Sequence, residues 1–189
     1  MRRSGGTARG TGRRASGRAG LRPTAQRVTD AVFNSLAARV PGARVLDLFA
    51  GTGRLGTEAL RRGAAEAVFV ERDPRHAALI RDRLVTANLA GRGQVRRANA
   101  LPAIDALAGE RRTFDLIFLD PPYGQGLVAE TLVRLAASTV LREDGLAIAE
   151  GHWRDEPGMI AGLVRIRAAR YGETAVWFYS PSAKREEGG

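Results

Sequence analysis

The sequence predicts an α/β fold in which seven strands form one mostly parallel, doubly wound sheet with a C-terminal antiparallel hairpin. Short apolar runs of strand-forming residues alternate with helical patterns five times along the chain. This order is typical of parallel sheets that carry helices on both faces. Two further strand-like segments, 164–171 and 174–180, face each other across Gly172-Glu173 and predict the hairpin. The chain has 189 residues, a length that suits one domain with a full core.

We divide the chain into three parts. Residues 1–20 are a basic N-terminal arm, residues 21–181 are the α/β domain, and residues 182–189 are a polar tail. The arm is rich in Gly, Arg, Ser and Thr and has almost no large apolar side chain, so it cannot form a core. No window approaches the length of about 18 uncharged apolar residues that a membrane span needs. We therefore expect a cytoplasmic protein, and we expect it to be a monomer.

The predicted helices and strands follow one another in a regular order. Thr24 and Asp73 are residue types that cap helix N-termini, whereas Pro41-Gly42 and Gly63 are suited to end helices. The predicted helices are 24–39, 54–62, a segment that begins at 73–74, 102–108 and 127–141. The strands that precede the hairpin are predicted at 45–49, 67–70, 94–98, 114–119 and 145–150.

The positive charge is concentrated at the N-terminus. The chain has 30 basic and 20 acidic residues and a net charge of +10. Residues 1–29 contain eight arginines and no acidic residue, whereas residues 30–189 contain 22 basic and 20 acidic residues. A basic arm on a nearly neutral domain is typical of proteins that bind polyanions, including nucleic acids. The alternative is a soluble leader, although the arm lacks the apolar segment of a secretory signal.

Several kinds of chemistry are excluded by composition. Cysteine is absent, which excludes disulfides, thiolate zinc sites and a cysteine nucleophile. It also excludes reactions that begin with addition of a thiolate to a pyrimidine ring. His76 and His152 have no acid or nucleophile partner in the predicted fold, so we expect both at the surface. We expect Trp153 and Trp177 to contribute to packing or to a substrate rim, and we expect no metal site.

The segment after the first predicted strand is a cofactor-binding turn. Gly51-Thr52-Gly53-Arg54-Leu55-Gly56 matches G-x-G-x-x-G, in which small residues let the backbone approach a ligand. Glu71 lies 20 residues after Gly51, at the end of the second strand, where an acid accepts a hydrogen bond from a ribose hydroxyl. This pattern suits any adenosine cofactor. Asn99, at the end of the third strand, is placed either to bind the adenine amino edge or to form a simple turn.

Asp47 favours S-adenosylmethionine over a dinucleotide as that cofactor. A pyrophosphate is negatively charged and binds best to the N–H groups of a helix N-terminus. An acidic side chain inside the preceding strand, four residues before Gly51, suits a ligand that carries a sulfonium and an ammonium group. The alternative is that Asp47 only orders the turn.

The most specific motif is the apolar strand 114–119 followed by Asp120-Pro121-Pro122-Tyr123. The run of β-formers predicts a strand that is covered on both faces, so Asp120 lies at its carboxyl end, where open α/β sheets bind ligands. The two prolines restrict the backbone of this loop and prevent it from becoming helical. The loop therefore presents a carboxylate, backbone carbonyls and an aromatic ring in one fixed geometry.

This loop predicts methyl transfer to an exocyclic amino nitrogen. Such a nitrogen is a poor nucleophile because its lone pair is delocalised into the ring. The Asp120 carboxylate and the Pro121 carbonyl can accept its two N–H bonds, which directs the lone pair at the methyl group, while Tyr123 stacks on the base. We expect positioning to supply most of the rate, and the target base to be unstacked when it enters the site.

Three segments together resemble a known family. Asp47-Leu48-Phe49-Ala50-Gly51-Thr52-Gly53 and Asp120-Pro121-Pro122-Tyr123 resemble the Rossmann-like class I amino-methyltransferases. The segment Arg22-Pro23-Thr24, with Arg27-Val28 and Phe33-Asn34 after it, resembles the RsmD family. That family methylates N2 of a guanine in bacterial 16S ribosomal RNA. The resemblance covers about residues 20–180.

The resemblance implies a set of site residues and partners. It implies that Asp120, Pro121, Pro122 and Tyr123 hold the guanine, and that 16S ribosomal RNA or a small-subunit assembly particle is the substrate. It implies that the cofactor, S-adenosylmethionine, is surrounded by Thr24, Arg27, Asp47, Phe49, Gly51, Gly53, Glu71 and Asn99. The alternatives are an adenine N6 or glutamine methyltransferase, a non-catalytic RNA-binding module that keeps a vestigial cofactor fold, and a dinucleotide oxidoreductase.

Overall fold

The structure, a computed structural model, describes residues 21–182, with the side chains from Ala25 onward. The predicted basic arm 1–20, residues 183–189 of the predicted tail, and the side chain of Thr24 lie outside the described residues.

Five helices and seven strands occupy the described part of the chain. The helices are α1 (Leu21–Ser35), α2 (Arg54–Arg61), α3 (Pro74–Thr86), α4 (Ala100–Gly109) and α5 (Leu127–Ala136). The strands are β1 (Arg44–Asp47), β2 (Glu66–Val70), β3 (Gly93–Arg96), β4 (Phe114–Leu119), β5 (Leu141–His152), β6 (Leu163–Tyr171) and β7 (Thr174–Pro181). Within residues 21–182, no helix has both the length and the apolar character needed to cross a bilayer.

All seven strands form one sheet in the order β3-β2-β1-β4-β5-β7-β6. Strands β1 to β5 pair in parallel, and β7 pairs antiparallel with both β5 and β6. The prediction of a mostly parallel seven-stranded sheet with a C-terminal antiparallel hairpin is confirmed. The strand order reverses between β1 and β4, which is where open α/β sheets leave a crevice at the carboxyl ends of the strands.

The core consists of two apolar layers, one on each face of the sheet. Helices α1, α2 and α3 cover one face, and α4 and α5 cover the other. Neighbouring residues of β4 alternate between the two layers, so that Phe118 contributes to the first and Leu119 to the second. Strands β2 and β4 are rich in consecutive apolar residues because both faces of the sheet are buried there.

The ends of three elements differ from or confirm the predictions. Thr24 does not cap α1, because the helix already includes Leu21. The helix predicted at 127–141 ends at Ala136, because Ser138 redirects the chain: its hydroxyl donates to the Leu135 carbonyl and accepts the Val140 N–H. The capping role of Asp73 is confirmed, since its carboxylate accepts the N–H of Arg75.

A close approach of α2 to β2 makes Gly56 a sensitive position. A Cβ at Gly56 would lie 2.3 Å from the Phe69 ring, which is fully buried. We expect Gly56→Ala to lower the free energy of unfolding by about 1–3 kcal/mol, because an extra methyl overpacks the core. Denaturation in urea measures it. Gly109→Ala in α4 is the matched control, since a Cβ there meets no atom within 4 Å. Equal stability of the two variants would contradict this account.

Candidate active site

A cavity of about 820 Å³ opens at the carboxyl ends of the parallel strands. It lies between the loops that follow β1, β2, β3 and β4. Eight of the twelve predicted site residues line it: Phe49, Gly51, Glu71, Asn99, Asp120, Pro121, Pro122 and Tyr123. The structure therefore brings together residues that are up to 74 positions apart in the sequence, from Phe49 to Tyr123.

The glycine turn forms one wall of the cavity and depends on glycine at two positions. Gly51 has φ +52° and Gly53 has φ +75°, values that side chains disfavour. The Gly53 N–H donates to the Ala50 carbonyl at 2.6 Å and closes the turn. A Cβ on Gly53 would lie 3.0 Å from Ile80 of α3. Gly53 is thus a packing position behind the turn, and only Gly51 faces the cavity.

Glu71 links this turn to the next loop. Its Oε2 accepts the N–H of Gly51 at 2.7 Å, and its Oε1 accepts the N–H of Asp73 at 2.8 Å. The side chain is 9% exposed and lines the cavity. Each carboxylate oxygen keeps a further lone pair, so Glu71 can position both loops and still accept a hydrogen bond from a ligand.

Asp47 is buried behind the glycine turn and does not line the cavity. Its Oδ2 accepts the N–H of Gly56 at 3.0 Å, while its Oδ1 has no hydrogen-bond partner among the described residues. Burial raises the pKa of Asp47 to about 7, against the lowering effect of the Gly56 hydrogen bond. A buried, half-satisfied carboxylate is costly to the fold. It is therefore a position where a nearby positive charge would be stabilising.

Asp120 belongs to a cluster of two carboxylates and one guanidinium that the sequence analysis missed. Arg54, the first residue of α2, places its Nη2 3.5 Å from the Oδ2 of Asp120 and 3.9 Å from the Oε2 of Glu150. Its Nη1 donates to the carbonyl of Ala25 at 3.3 Å, which connects α1 to the cluster. Glu150 lies near the end of β5, the sheet neighbour of β4.

The cluster holds protons more strongly than isolated carboxylates do. Burial raises the pKa of Asp120, and Arg54 opposes that rise. Burial, together with the negative charge of Asp120, raises the pKa of Glu150 to about 7. Within the described part of the chain, Arg54 is the one cation within 4.0 Å of the two carboxylates. Near neutral pH, the pair can therefore take up a proton that a substrate releases.

The loop after Asp120 presents an aromatic ring to solvent. Pro121 is buried, whereas Pro122 is exposed and Tyr123 is 48% exposed. The Tyr123 hydroxyl lies 3.4 Å from the hydroxyl of Thr174, at the start of β7. The loop thus contacts the terminal hairpin, and the Tyr123 ring forms part of the cavity rim.

Asn99 and Phe49 are the remaining predicted cofactor-binding residues that line the cavity. Asn99 precedes α4, but its side chain makes no capping hydrogen bond, and it is exposed at the cavity. Its amide is therefore available to a ligand. Phe49 is half-buried and adds an apolar surface suited to a flat ring. Arg27 is exposed and does not line the cavity, and α1 approaches the site through Ala25 instead.

The family described as "Conserved hypothetical protein 95" matches residues 1–180. The chain belongs to this family. It is 37% identical over 180 residues to "Putative rRNA methyltransferase YlbH" of Bacillus subtilis, a match that covers 95% of this chain and 98% of the relative. It is 34% identical over 168 residues to "Ribosomal RNA small subunit methyltransferase D" of Escherichia coli, covering 88% and 83% of the two chains.

A solved structure of a family relative has the same fold. The structure titled "Putative methyltransferase yhhF from Escherichia coli" superposes with a TM-score of 0.75 at 31% identity, covering 84% of this chain and 88% of that one. The resemblance to the RsmD family that the sequence indicated is confirmed, and with it the Rossmann-like methyltransferase fold.

Further residues line the cavity although the sequence had not predicted them there. His76 lines it as an exposed residue of α3, and Leu101 and Pro102 of α4 add apolar surface. His152 is half-buried beside Tyr123, with ring centroids 6.4 Å apart, so it lies next to the rim of the cavity. Glu150 could have been found from the rule used for Asp120, since it too is an acid near the carboxyl end of a strand.

The buried carboxylate of Asp47 predicts a pH-dependent stability. Its pKa rises from the ordinary value of 3.8 to about 7 on folding. Below about pH 4 the group is neutral in both states. Between pH 4 and 7 only the unfolded state loses the proton, so stability falls as pH rises, and above pH 7 the penalty is constant.

We therefore expect Asp47→Asn to stabilise the ligand-free protein increasingly from pH 4 to pH 7. The gain should reach a few kcal/mol, since each pKa unit corresponds to about 1.4 kcal/mol. Urea denaturation at several pH values measures the difference between the variant and the unsubstituted protein. Asp82→Asn, at an exposed position of α3, is the control. Parallel pH profiles for the Asp47 variant and the unsubstituted protein would contradict the assignment.

Proposed function

We propose that this protein transfers a methyl group from S-adenosylmethionine to the exocyclic N2 amino group of a guanine in bacterial 16S ribosomal RNA. The observation that carries the proposal is Asp120-Pro121-Pro122-Tyr123 at the rim of the cavity, with the Asp120 carboxylate directed into the Arg54–Glu150 cluster. The names of the family relatives, which are ribosomal RNA methyltransferases of the small subunit, support it.

The residues of the cavity fit S-adenosylmethionine. Its volume, about 820 Å³, lies in the range of sites that enclose ligands of this size. Phe49 and Leu101 offer apolar surface to a flat base, and Glu71 offers a carboxylate to a ribose. The unpartnered Oδ1 of Asp47 favours a positively charged group near the glycine turn. When bound, this cofactor supplies a methyl group activated by the neighbouring sulfonium.

The Asp120 loop holds the guanine. The Asp120 carboxylate and the Pro121 carbonyl accept the two N–H bonds of the amino group, so that the nitrogen lone pair points out of the ring plane. Tyr123 stacks on the base and excludes water. These contacts orient the amino nitrogen towards the methyl group. In well-aligned reactions, such orientation lowers the activation free energy by up to about 7–11 kcal/mol.

The acidic cluster receives the proton. As the nitrogen would form its bond to the methyl carbon, the S–C bond of the sulfonium would break and leave a neutral thioether. The methylated nitrogen would then be acidic, and its proton would pass to Asp120 or to water. Glu150 lies beside Asp120 and also takes up a proton readily, because burial and the negative charge of Asp120 raise its pKa to about 7. Arg54 opposes the rise in the pKa of Asp120 and holds its carboxylate in place before the reaction.

We also propose the setting in which the protein acts. A small-subunit assembly particle or free 16S RNA is the substrate, and the protein binds it as a monomer. Ribosomal RNA is assembled into ribosomes in the bacterial cytoplasm, so a cytoplasmic location goes with this substrate. The alternatives, adenine N6 methylation and a non-catalytic RNA-binding role, are separate outcomes of the first experiment below.

Methyl mapping tests the reaction. The protein is incubated with S-adenosylmethionine labelled in the methyl group and with undermethylated small-subunit particles or 16S RNA, and the product is digested and analysed. We expect the label on N2 of guanine. Label on adenine N6, on DNA or on protein would refute the proposed target, and absence of label on any acceptor would favour the non-catalytic role.

Replacement of the loop carboxylate tests its role in that reaction. We expect Asp120→Ala to lower kcat by roughly 10²–10³-fold, the usual cost of removing one electrostatic partner of a reacting group. The affinity for S-adenosylmethionine, measured by calorimetry, should stay within a few fold. Asp82→Asn, which also removes one carboxylate, is again the control. If Asp120→Ala abolished cofactor binding, the assignment of Asp120 to the base would be wrong.

Deletion of residues 1–20 tests the basic arm. This segment carries six of the eight N-terminal arginines. We expect the truncated protein to bind RNA more weakly, with the slope of log K against log salt reduced by about 0.7 for each phosphate that the arm neutralises. Activity on a saturating RNA substrate should persist. An unchanged salt slope would support the alternative interpretation of the arm as a leader without a binding role.

A further inference from the structure

We infer that Arg154 and Arg170, which both stack on the ring of Trp153, form a clamp for a backbone phosphate of the RNA beside the target guanine. We call these three residues the Trp153 clamp. The inference rests on the proposed function, since it places the substrate's backbone next to the base-binding loop.

The Trp153 clamp lies at the same edge of the sheet as the cavity. The backbone N–H of Trp153 donates to the carbonyl of Glu173 at 3.0 Å, in the turn between β6 and β7. The next residue, Thr174, contacts the Tyr123 hydroxyl. Ring centroids are 6.4 Å apart from Tyr123 to His152 and 6.0 Å apart from His152 to Trp153. A row of three rings thus leads from the base-binding loop to the clamp.

The guanidinium groups of the clamp are held in place and have free donors. The Cζ of Arg170 lies 4.0 Å from the Trp153 ring centroid, and that of Arg154 lies 5.0 Å away. Arg170 uses its Nε to bond the Gly172 carbonyl at 2.8 Å, which leaves its terminal N–H groups available. Among residues 25–182, no carboxylate oxygen lies within 4.0 Å of either guanidinium.

The nearby acids of the same segment have other partners. Asp155 accepts the N–H of Gly124 at 3.3 Å, and Glu156 pairs with Arg165. Two cations on one aromatic ring repel each other unless an anion lies between them. Among the described residues, Arg154 and Arg170 therefore lack the anion that would offset their mutual repulsion.

A second arginine pair in the same molecule shows what satisfies this arrangement. Arg44 and Arg112 both lie over the ring of Phe114, at 5.8 and 5.6 Å. Both pair with one carboxylate, that of Glu66, at 2.8 and 3.0 Å. The two sites share the aromatic ring and the paired guanidiniums, but the Trp153 clamp has no counterpart of Glu66 among the residues that the structure describes. A phosphate supplied by the RNA would take that place, because its oxygens match the guanidinium donors as carboxylate oxygens do.

A backbone phosphate fits the position better than a base does. Arginine already covers the Trp153 ring, so the ring is less open to a base than the rings of Tyr123 and His152 are. Extrusion of the target base turns its nucleotide about the backbone and brings the flanking phosphate to the rim of the site. The clamp would hold that phosphate and so keep the extruded nucleotide in place.

The test compares arginine variants of the terminal hairpin. The double variant Arg154→Ala/Arg170→Ala removes the clamp's charges. Arg167→Ala is the control on β6: it removes the same kind of side chain, which lies over Phe178 at 5.3 Å on the opposite face of the sheet. The full-length variants are titrated with 16S RNA and with undermethylated small-subunit particles over a range of salt concentrations.

We expect the double variant to bind RNA at least about tenfold more weakly, since hydrogen bonds to charged groups contribute strongly. Its salt slope should fall by about 0.7 for each phosphate that the clamp no longer neutralises. Affinity for S-adenosylmethionine, which the clamp does not contact, should change less than twofold. The salt slope of Arg167→Ala should differ from that of the unsubstituted protein by less than about half of the change expected for one phosphate. If the double variant does not fold, the single variant Arg154→Gln, at an exposed position, decides the question in the same assay.

Two results would overturn the inference. One is an RNA affinity and a salt slope of the double variant equal to those of Arg167→Ala. The other is loss of binding to particles with unchanged binding to free RNA, which would mean that the clamp touches a ribosomal protein. Failure of the proposed function is distinguishable: the unsubstituted protein would then place no methyl group on guanine, whatever the arginine variants do to RNA affinity.

Discussion

The Glu71 carboxylate is the interaction on which the cavity depends most directly. Its two oxygens accept the backbone N–H groups of Gly51 and Asp73, so one side chain joins the loops that follow β1 and β2. These loops lie side by side because neighbouring parallel strands end at the same edge of the sheet. The side chain is 9% exposed, so water competes little for either bond. Glu71 thus fixes the glycine turn relative to the loop that follows β2, together with the bond from the Ala50 N–H to the Val70 carbonyl at 3.0 Å.

The buried carboxylates at this edge share one guanidinium, that of Arg54, as the cation that lowers their pKa values. Asp47, Asp120 and Glu150 all have raised pKa values because burial disfavours their charged forms, and Arg54 compensates only in part. Such an arrangement costs stability in the ligand-free protein. A ligand that brings a positive charge would recover some of that cost and would bind the folded state preferentially. The same imbalance therefore favours a cationic cofactor and prepares the site to take up a proton.

The sequence was sufficient for the fold and for most of the cavity, because parallel strands bring their carboxyl ends together whatever their order. Acids, glycines and the Asp-Pro-Pro-Tyr loop could thus be assigned to one edge from strand boundaries alone. Glu150 could be assigned to this edge by the same rule, but its proximity to Asp120 and the contact of both acids with Arg54 could not be predicted. They depend on β5 lying next to β4 and on the direction of a long side chain. Asp47 and Gly53 belong to the right motif but lie behind the turn, a distinction that only side-chain packing decides. The end of α5 depended on a local hydrogen bond of Ser138, which carries no periodic signal.

The reversed direction of β7 has a consequence for how a large substrate can be held. In an all-parallel sheet, the turn before each strand lies at the edge opposite the ligand. Because β7 runs antiparallel to β5, the turn at Gly172-Glu173 lies at the ligand edge instead. That turn holds Trp153 through the Glu173 carbonyl and supports Tyr123 through Thr174. In the proposed function, the loops of the parallel strands contact the cofactor, whereas the hairpin lies beside the Asp120 loop that would hold the base. The hairpin can therefore vary without altering the loops that are proposed to bind the cofactor, since the Asp120 loop lies between them.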